Sequence, residues 1–302
     1  MRSLAQTISA IGRQGRYTRH GLYGLVCKGC PPYGRGSSQI KANLKAKESM
    51  SVSLLGASDP APFLVFPEKV PSPFVLVSDH AGRAVPEVLG MLGVDAEDWE
   101  RHIAWDIGIV GVGRRLHEAL GATLIEQVYS RLVIDCNRAP GHPTSIPHVS
   151  DRTPIPGNRE APESCRERRE REILHPYHDA IQEVLTERGD RPTALIALHS
   201  FTPEMNGVER PWQIGILHNR DSRMARVMLD LLKAEDLCVG DNEPYVLTDV
   251  SDYTVPRHAE AAGLPYLEIE IRQDLIAGEE GQRDWADLLA HLLPRVWETL
   301  AV

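Results

Sequence analysis

Nowhere in these 302 residues is there an apolar run of the roughly 20 residues that a membrane-spanning helix needs. Cysteine is scarce. Five residues in a chain this long are too few for a disulfide scaffold, and the expected compartment is a reducing one, the cytoplasm. Positive charge is in deficit, with 33 Lys and Arg against 42 Asp and Glu and a net charge of −9. A general nucleic-acid binder needs a basic surface, so that class is excluded, although a local basic pocket for an acidic small molecule is not. Common catalytic strings are missing as well. There is no GxxxxGK[ST], no GxSxG and no HExxH, and Gly108, Gly111 and Gly113 do not make a GxGxxG. What remains is ordinary: 42% hydrophobic and 25% charged residues, the balance of a folded globular chain.

The charge is unevenly spread. Residues 1–50 hold nine Lys and Arg and a single acid, Glu48, so the remainder carries the whole negative excess. This segment has no apolar core followed by a small-residue cleavage site, which argues against a secretory signal. Its composition fits either an organelle transit peptide or an upstream extension with Met50 as the true start. Cys27 and Cys30 form one CxxC, but no second pair follows at zinc-ribbon spacing. We therefore expect residues 1–55 to be a disordered basic extension and residues 56–302 to form a single catalytic domain.

From about residue 60 short apolar runs alternate with helical periods. Phe74–Ser78, Ala122–Val128, Leu132–Ile134, Leu195–Leu198, Gln213–Leu217 and Tyr266–Ile271 read as strands. Residues 102–120, 160–188, 221–235 and 284–300 read as helices. The pattern predicts an α/β domain, a three-layer sandwich around a mixed, largely parallel sheet. Residues 136–160, with five prolines, form a long loop directly after one predicted strand, where such folds place their ligands.

Polar residues collect at the strand ends. Asp79 and His80 follow the first strand and His199 follows Leu195–Leu198. Asp135, Asn137 and Arg138 follow Ile134, and Glu268 and Glu270 share one face of the last strand. Two histidines and a carboxylate converging on one crevice suit zinc, with a separate glutamate as proton acceptor. Each residue also has a plainer reading. A histidine after a strand is often a loop residue held by hydrogen bonds, Asp135 can be a cap, Arg138 a surface ion-pair partner, and His102 and Asp106 can pair across one helical turn.

The strings VSDHAG (77–82), YSRLVIDCNR (129–138), LHSFTP (198–203) and EIEIRQDL (268–275) resemble those of the N-formylglutamate amidohydrolase family over about residues 72–290. HIAWDIG (102–108), RPWQIG (210–215) and DNEPY (241–245) are similar to its predicted, uncharacterised branch. The resemblance implies a hydrolase of the amide bond in a small N-acylated acidic amino acid, with a fold similar to zinc-dependent exopeptidases. It also implies a divalent metal, zinc before others. Carried over by position, His80 and His199 would be metal ligands, Asn137 and Arg138 would grip the substrate carboxylate, and Glu270 would be the catalytic base. Arg131 would be a second arginine for the substrate, and Glu268 is the rival to Glu270.

The related exopeptidase motif H-x-x-E has Arg83 at its glutamate position, so the third ligand must lie elsewhere. Asp106 is the first candidate, with Asp79 and Glu87 behind it. Two other functions stay open at this point: a non-catalytic protein that binds an acidic ligand, which metal content would separate, and an exopeptidase of related fold, which a substrate panel would.

Overall fold

The predicted strands are apolar on both faces or nearly so, a pattern that demands a covering layer on each side of the sheet. The computed structural model describes residues 53–300 and has those layers. In chain order the elements are β1 (Phe63–Phe66), β2 (Phe74–Ser78), α1 (Ile109–Leu120), β3 (Thr123–Gln127), the short strands β4 (Val149–Ser150) and β5 (Thr153–Pro154), α2 (Glu163–Arg169), α3 (His175–Arg188), β6 (Ala194–Phe201), the short strands β7 (Glu204–Met205) and β8 (Val208–Glu209), β9 (Ile214–Leu217), α4 (Arg223–Ala234), β10 (Val239–Asp241), β11 (Tyr266–Arg272) and α5 (Glu279–Leu300).

Seven strands pair in the order β1-β3-β2-β6-β11-β9-β10. The pairings of β2 with β3, β2 with β6, β6 with β11 and β9 with β10 are parallel; β1 with β3 and β9 with β11 are antiparallel. The sheet is thus mixed and largely parallel, as expected.

The pleat sorts residues into two cores. On one face Leu76, Leu124, Ile196, Leu198, Leu267, Ile269 and Ile271 pack under α1, α4 and α5, whose apolar stripes include Ile109, Val112, Met228 and Leu289. On the other face Val75, Val77, Leu195, Ala197 and Tyr266 pack under Leu174, Tyr177 and Ile181 and under the chain at 132–136. Glu268 and Glu270 follow Tyr266 on this second face, so they point into the layer that carries the long loop.

Several expected boundaries change. Leu132–Ile134 is not a strand. It is a buried turn, closed by the N–H of Val133 on the Ser130 carbonyl at 2.8 Å and by the Leu132 N–H on the Ser130 hydroxyl at 3.1 Å. A short apolar run signals burial, and a turn folded under a helix buries it as well as a strand does. The helix expected over 102–120 begins only at Ile109, because Gly108 turns the chain at φ 82°. The helix over 160–188 is interrupted by a π segment, Glu170–Leu174. Strands β1 and β10 lie at the sheet edges and are too short to have a readable period. The loop at 136–160 holds the β4–β5 hairpin and one helical turn, Pro156–Arg159.

Leu54, placed on the extension side of a boundary at residue 55, is buried, and the N–H groups of Leu54 and Leu55 donate to Glu172 at 2.7 and 3.1 Å. The Cys27–Cys30 pair and Met50 lie outside the described residues. No helix among the described residues is long and apolar enough to cross a membrane.

Candidate active site

The site follows from register. In parallel pairing β11 sets Glu270 beside His199 of β6, and Glu268 beside Ala197. Both glutamates and His199 therefore share one face near the C-terminal ends of the strands, and β2, on the other side of β6, delivers Asp79 and His80 just past its own end. This is the edge where open α/β sheets gather ligands.

Asp106 arrives by a different route from the one expected. It sits on an irregular strap ahead of α1. Its backbone N–H donates to the His80 carbonyl at 3.0 Å, the Ser130 hydroxyl donates to the Ala104 carbonyl at 2.7 Å, and the Ser200 hydroxyl donates to the Ile107 carbonyl at 3.0 Å. A Cβ on Gly108 would lie 2.0 Å from the Ile276 carbonyl oxygen, so only glycine lets the strap turn there into the helix.

His80, Asp106 and His199 form a buried group able to hold a metal ion. Asp106 Oδ2 is 3.5 Å from His80 Nδ1 and 3.1 Å from His199 Nδ1. Zinc bonds of about 2.0–2.1 Å in a tetrahedron set ligand atoms about 3.3 Å apart, and the two observed separations bracket that value. His80 Nδ1 is buried without a hydrogen-bond partner, as an atom awaiting a cation would be. The remaining ring nitrogens face carboxylates. His80 Nε2 meets Asp135 Oδ1 at 2.8 Å, and His199 Nε2 lies 3.3 Å from Asp79 Oδ2. The Asp135 hydrogen bond fixes the ring and tautomer of His80, the usual support of a metal-ligating histidine, whereas Asp79 meets His199 as an ion-pair contact without a hydrogen bond.

Those two carboxylates are themselves held. Asp135 receives Arg131 Nη2 at 2.8 Å and the Asn137 N–H at 3.0 Å, and Asp79 receives the Thr254 hydroxyl at 2.6 Å. Burial raises Asp79, but His199 outweighs it and holds the acid at about 2. Burial likewise opposes the charged forms of Asp106 and Asp135, yet the His80 and Arg131 cations keep both well below the carboxylate range. The two glutamates behave oppositely. Burial lifts Glu270 to about 7 against the pull of His199, and burial with the Asp252 charge lifts Glu268 well above its ordinary value. Each glutamate has one buried oxygen with no partner.

His80, Asp106, Asp135, His199, Glu268 and Glu270 line a cavity of about 400 Å³ that also takes in Arg131, Asn137, Arg138, Tyr245 and Asp252. His80, Asp106, His199, Glu270, Arg131, Asn137 and Arg138 are thus brought together. Their occupations differ. Arg131 lies between Asp106, at 3.3 Å, and Asp135, so its guanidinium is committed to two carboxylates. The Asn137 side chain is committed as well: Oδ1 accepts the N–H groups of Tyr253 and Thr254 at 2.8 and 3.0 Å, and Nδ2 donates to Asp252 at 3.0 Å. Arg138 donates to the Asn137 carbonyl at 2.8 Å and makes no salt bridge among the described residues, although its charge helps to hold Asp135 ionised.

Of the alternative third ligands, Asp79 is at the site but stands behind His199. Glu87 is remote, on an exposed turn where it accepts from Ser58. His102 does not pair with Asp106; its Nε2 lies 3.5 Å from Asp151. The supports Asp135 and Thr254 carry no sequence signal for their role, since Thr254 reaches Asp79 across 175 positions.

The sequence model of the N-formylglutamate amidohydrolase family matches residues 72–277. Among solved structures, the chain is similar to the gene product Atu2144 from Agrobacterium tumefaciens, with TM-score 0.80 and 36% identity over 82% of this chain and 100% of that one. It is also similar in fold to N-formylglutamate amidohydrolase from Ralstonia eutropha JMP134, with TM-score 0.60 and 22% identity over 80% of this chain and 98% of that one. No curated protein matches the sequence significantly. The family match spans every strand-end residue gathered at the cavity floor, and the chain belongs to the N-formylglutamate amidohydrolase family, hydrolases of C–N amide bonds.

Proposed function

We propose that this chain hydrolyses the amide bond of an N-acylated acidic amino acid, N-formylglutamate or a close analogue, with a divalent metal, most simply zinc. The observation that carries the reading is the pairing of the His80–Asp106–His199 group with Glu270, the register neighbour of His199. A metal held by His80, Asp106 and His199 would supply a Lewis acid and lower the pKa of water at the site.

Glu270, poised near 7, accepts a proton as the oxygen of water attacks the amide carbonyl, and passes it to the nitrogen as the C–N bond breaks. The products are a carboxylic acid and the free amino acid, with no other reactant consumed. Glu268, held more firmly protonated, is the poorer acceptor. Arg138 is the cation available for the substrate carboxylate, and its planar fork can hold both oxygens. In this reading Arg131 and Asn137 act one step back. Arg131 fixes Asp106 and Asp135, and Asn137 fixes the segment that carries Thr254.

Elemental analysis of the purified protein, combined with a hydrolysis screen across N-formyl, N-acetyl and N-succinyl amino acids, tests the reading. Bound metal at one ion per chain and turnover of an acidic N-acyl amino acid are expected. A protein that neither retains nor responds to divalent ions and cleaves none of these amides is a binding protein instead. Arg138→Lys should raise KM for acidic substrates by about 10- to 100-fold, since a charge-assisted bidentate contact contributes roughly 1.5–3 kcal/mol.

A further inference from the structure

The proposed reaction makes no use of the motif at 241–245, yet its tyrosine stands in the cavity beside Glu270. The backbone carrying it is clamped to the sheet. A Cβ on Gly215 would lie 2.0 Å from the Glu243 carbonyl oxygen, so glycine in β9 is what lets this segment lie against the strand. The Asn242 N–H donates to the Ile216 carbonyl at 3.0 Å, and the His218 N–H donates to Asn242 Oδ1 at 2.9 Å. The sheet therefore holds the backbone up to Glu243, two residues short of Tyr245.

Arg210 fixes the ring. Its guanidinium carbon lies 4.8 Å from the Tyr245 ring centroid, and its Nη1 donates to the phenol oxygen at 3.0 Å. A guanidinium can only donate, so the phenol oxygen is the acceptor in that bond and its own hydrogen must point elsewhere. No described residue accepts it in a hydrogen bond. Burial raises the phenol above its ordinary range, and the neighbouring Glu270 charge adds to this against the Arg210 and Arg131 cations, so the proton is retained at neutral pH. Arg210 holds the ring, its O–H has no partner among the described residues, and the side chain, 40% exposed, lines the mouth of the cavity that also holds the base.

We propose that Tyr245 is a further catalytic residue, which donates its O–H as a hydrogen bond to the substrate amide oxygen as negative charge develops there, and that Arg210 positions it. This rests on the amidohydrolase reading. A metal held at the site would supply Lewis acidity, and a hydrogen-bond donor aimed at the same developing charge would add to it. The attacked oxygen gains charge only in the transition state, and a preorganised donor aimed at it accelerates the step. Glu270 takes a proton at that moment and cannot serve, while Arg131 is bound to two carboxylates. The interaction is a hydrogen bond throughout, and Tyr245 ends the cycle with its proton.

The test is steady-state kinetics of wild type, Tyr245→Phe, Arg210→Gln and the double variant on the best substrate of the amide panel, with metal content and melting temperature recorded for each. Tyr245→Phe should lower kcat by about 10²-fold, the low end of what one oxyanion donor supplies, with KM, metal content and melting temperature unchanged. Arg210→Gln should lower kcat by less, and should add nothing once the hydroxyl is gone. A Tyr245→Phe enzyme within about twofold of wild-type kcat, or one changed only in KM, overturns the catalytic role. A full Arg210→Gln effect in the Tyr245→Phe background overturns the positioning role. If wild type cleaves no amide of the panel in any divalent metal, the amidohydrolase reading falls and this proposal falls with it.

Discussion

Among the described residues two pairs of buried histidines lie ring to ring, and their surroundings drive them in opposite directions. His80 and His199 stand with ring centroids 5.0 Å apart, and His178 and His258 with theirs 5.2 Å apart. Burial alone disfavours the cation in all four. Around the first pair Asp79, Asp106 and Asp135 outweigh burial and raise both histidines, His199 well above its ordinary value. Around the second pair burial wins, leaving His178 at about 4 and His258 at about 3. His178 Nε2 meets the Cys136 carbonyl at 2.8 Å and its Nδ1 meets His258 Nε2 at 2.9 Å, a chain that two neutral rings complete. Proximity of two rings therefore decides little. The number of carboxylates facing them separates a site that can gather positive charge from a pair that excludes it.

The comparison breaks most sharply by deletion. His199→Ala should remove bound metal and abolish turnover, and it should lower the melting temperature as well, because buried Asp79 and Asp106 lose the partner that keeps them charged. Stoichiometric metal in that variant would remove His199 from the ligand set. Next in size is Glu270→Gln, which should keep metal and lower kcat by about 10²–10⁴-fold. In wild type the base must be unprotonated, so kcat should rise as pH climbs through the range in which Glu270 loses its proton, a range that a bound cation would draw below about 7, and the variant should lose that limb. A Glu268→Gln variant that fails while Glu270→Gln stays active would exchange the two roles.

Smaller again is Asp135→Asn, which leaves every proposed ligand in place but weakens the hold on His80. Metal affinity should fall about 10- to 100-fold, as read by titration with a chelator. An unchanged affinity would mean that the Asp135 charge contributes nothing to holding the metal. The smallest effect belongs to the neutral pair. Since His178 and His258 have folded values below the 6.5 of the unfolded chain, the stability they allow is full above about 6.5 and is lost as pH falls toward 4 and 3. His258→Gln should cost about 1 kcal/mol at pH 8 for the lost buried contact, yet flatten the decline of melting temperature below pH 6.5. An unaltered slope would place the acid sensitivity elsewhere.

Much of the candidate site is legible in the amino-acid sequence. The alternation in Tyr266–Ile271 puts Glu268 and Glu270 on one face, and polar residues just past an apolar run mark His80 and His199, although His199 lies inside β6, which continues to Phe201. Other features are hidden for definable reasons. Asp106 lies in a segment whose periodicity mimics helix, because Ile103 and Ala104 are buried in a strap that makes no regular structure. Leu132–Ile134 is as apolar as a strand, and nothing local distinguishes a buried turn from one. Arg131 and Asn137 carry side chains suited to a carboxylate ligand, and only the contacts reveal that protein groups already occupy them.

By itself the sequence determined the class of the domain and the set of residue types at its strand ends. Strand period, helix period and strand-end polarity are local properties, carried by neighbours within a few positions. Only the tertiary structure decided which carboxylate backs which histidine, which arginine makes no salt bridge, and that Tyr245 lines the cavity. Those outcomes depend on contacts such as Thr254 with Asp79, His80 with Asp135 and Arg210 with Tyr245, which span 175, 55 and 35 positions. No local pattern encodes such contacts. They exist only once β2, β6 and β11 have paired in register and the irregular segments have closed over their ends.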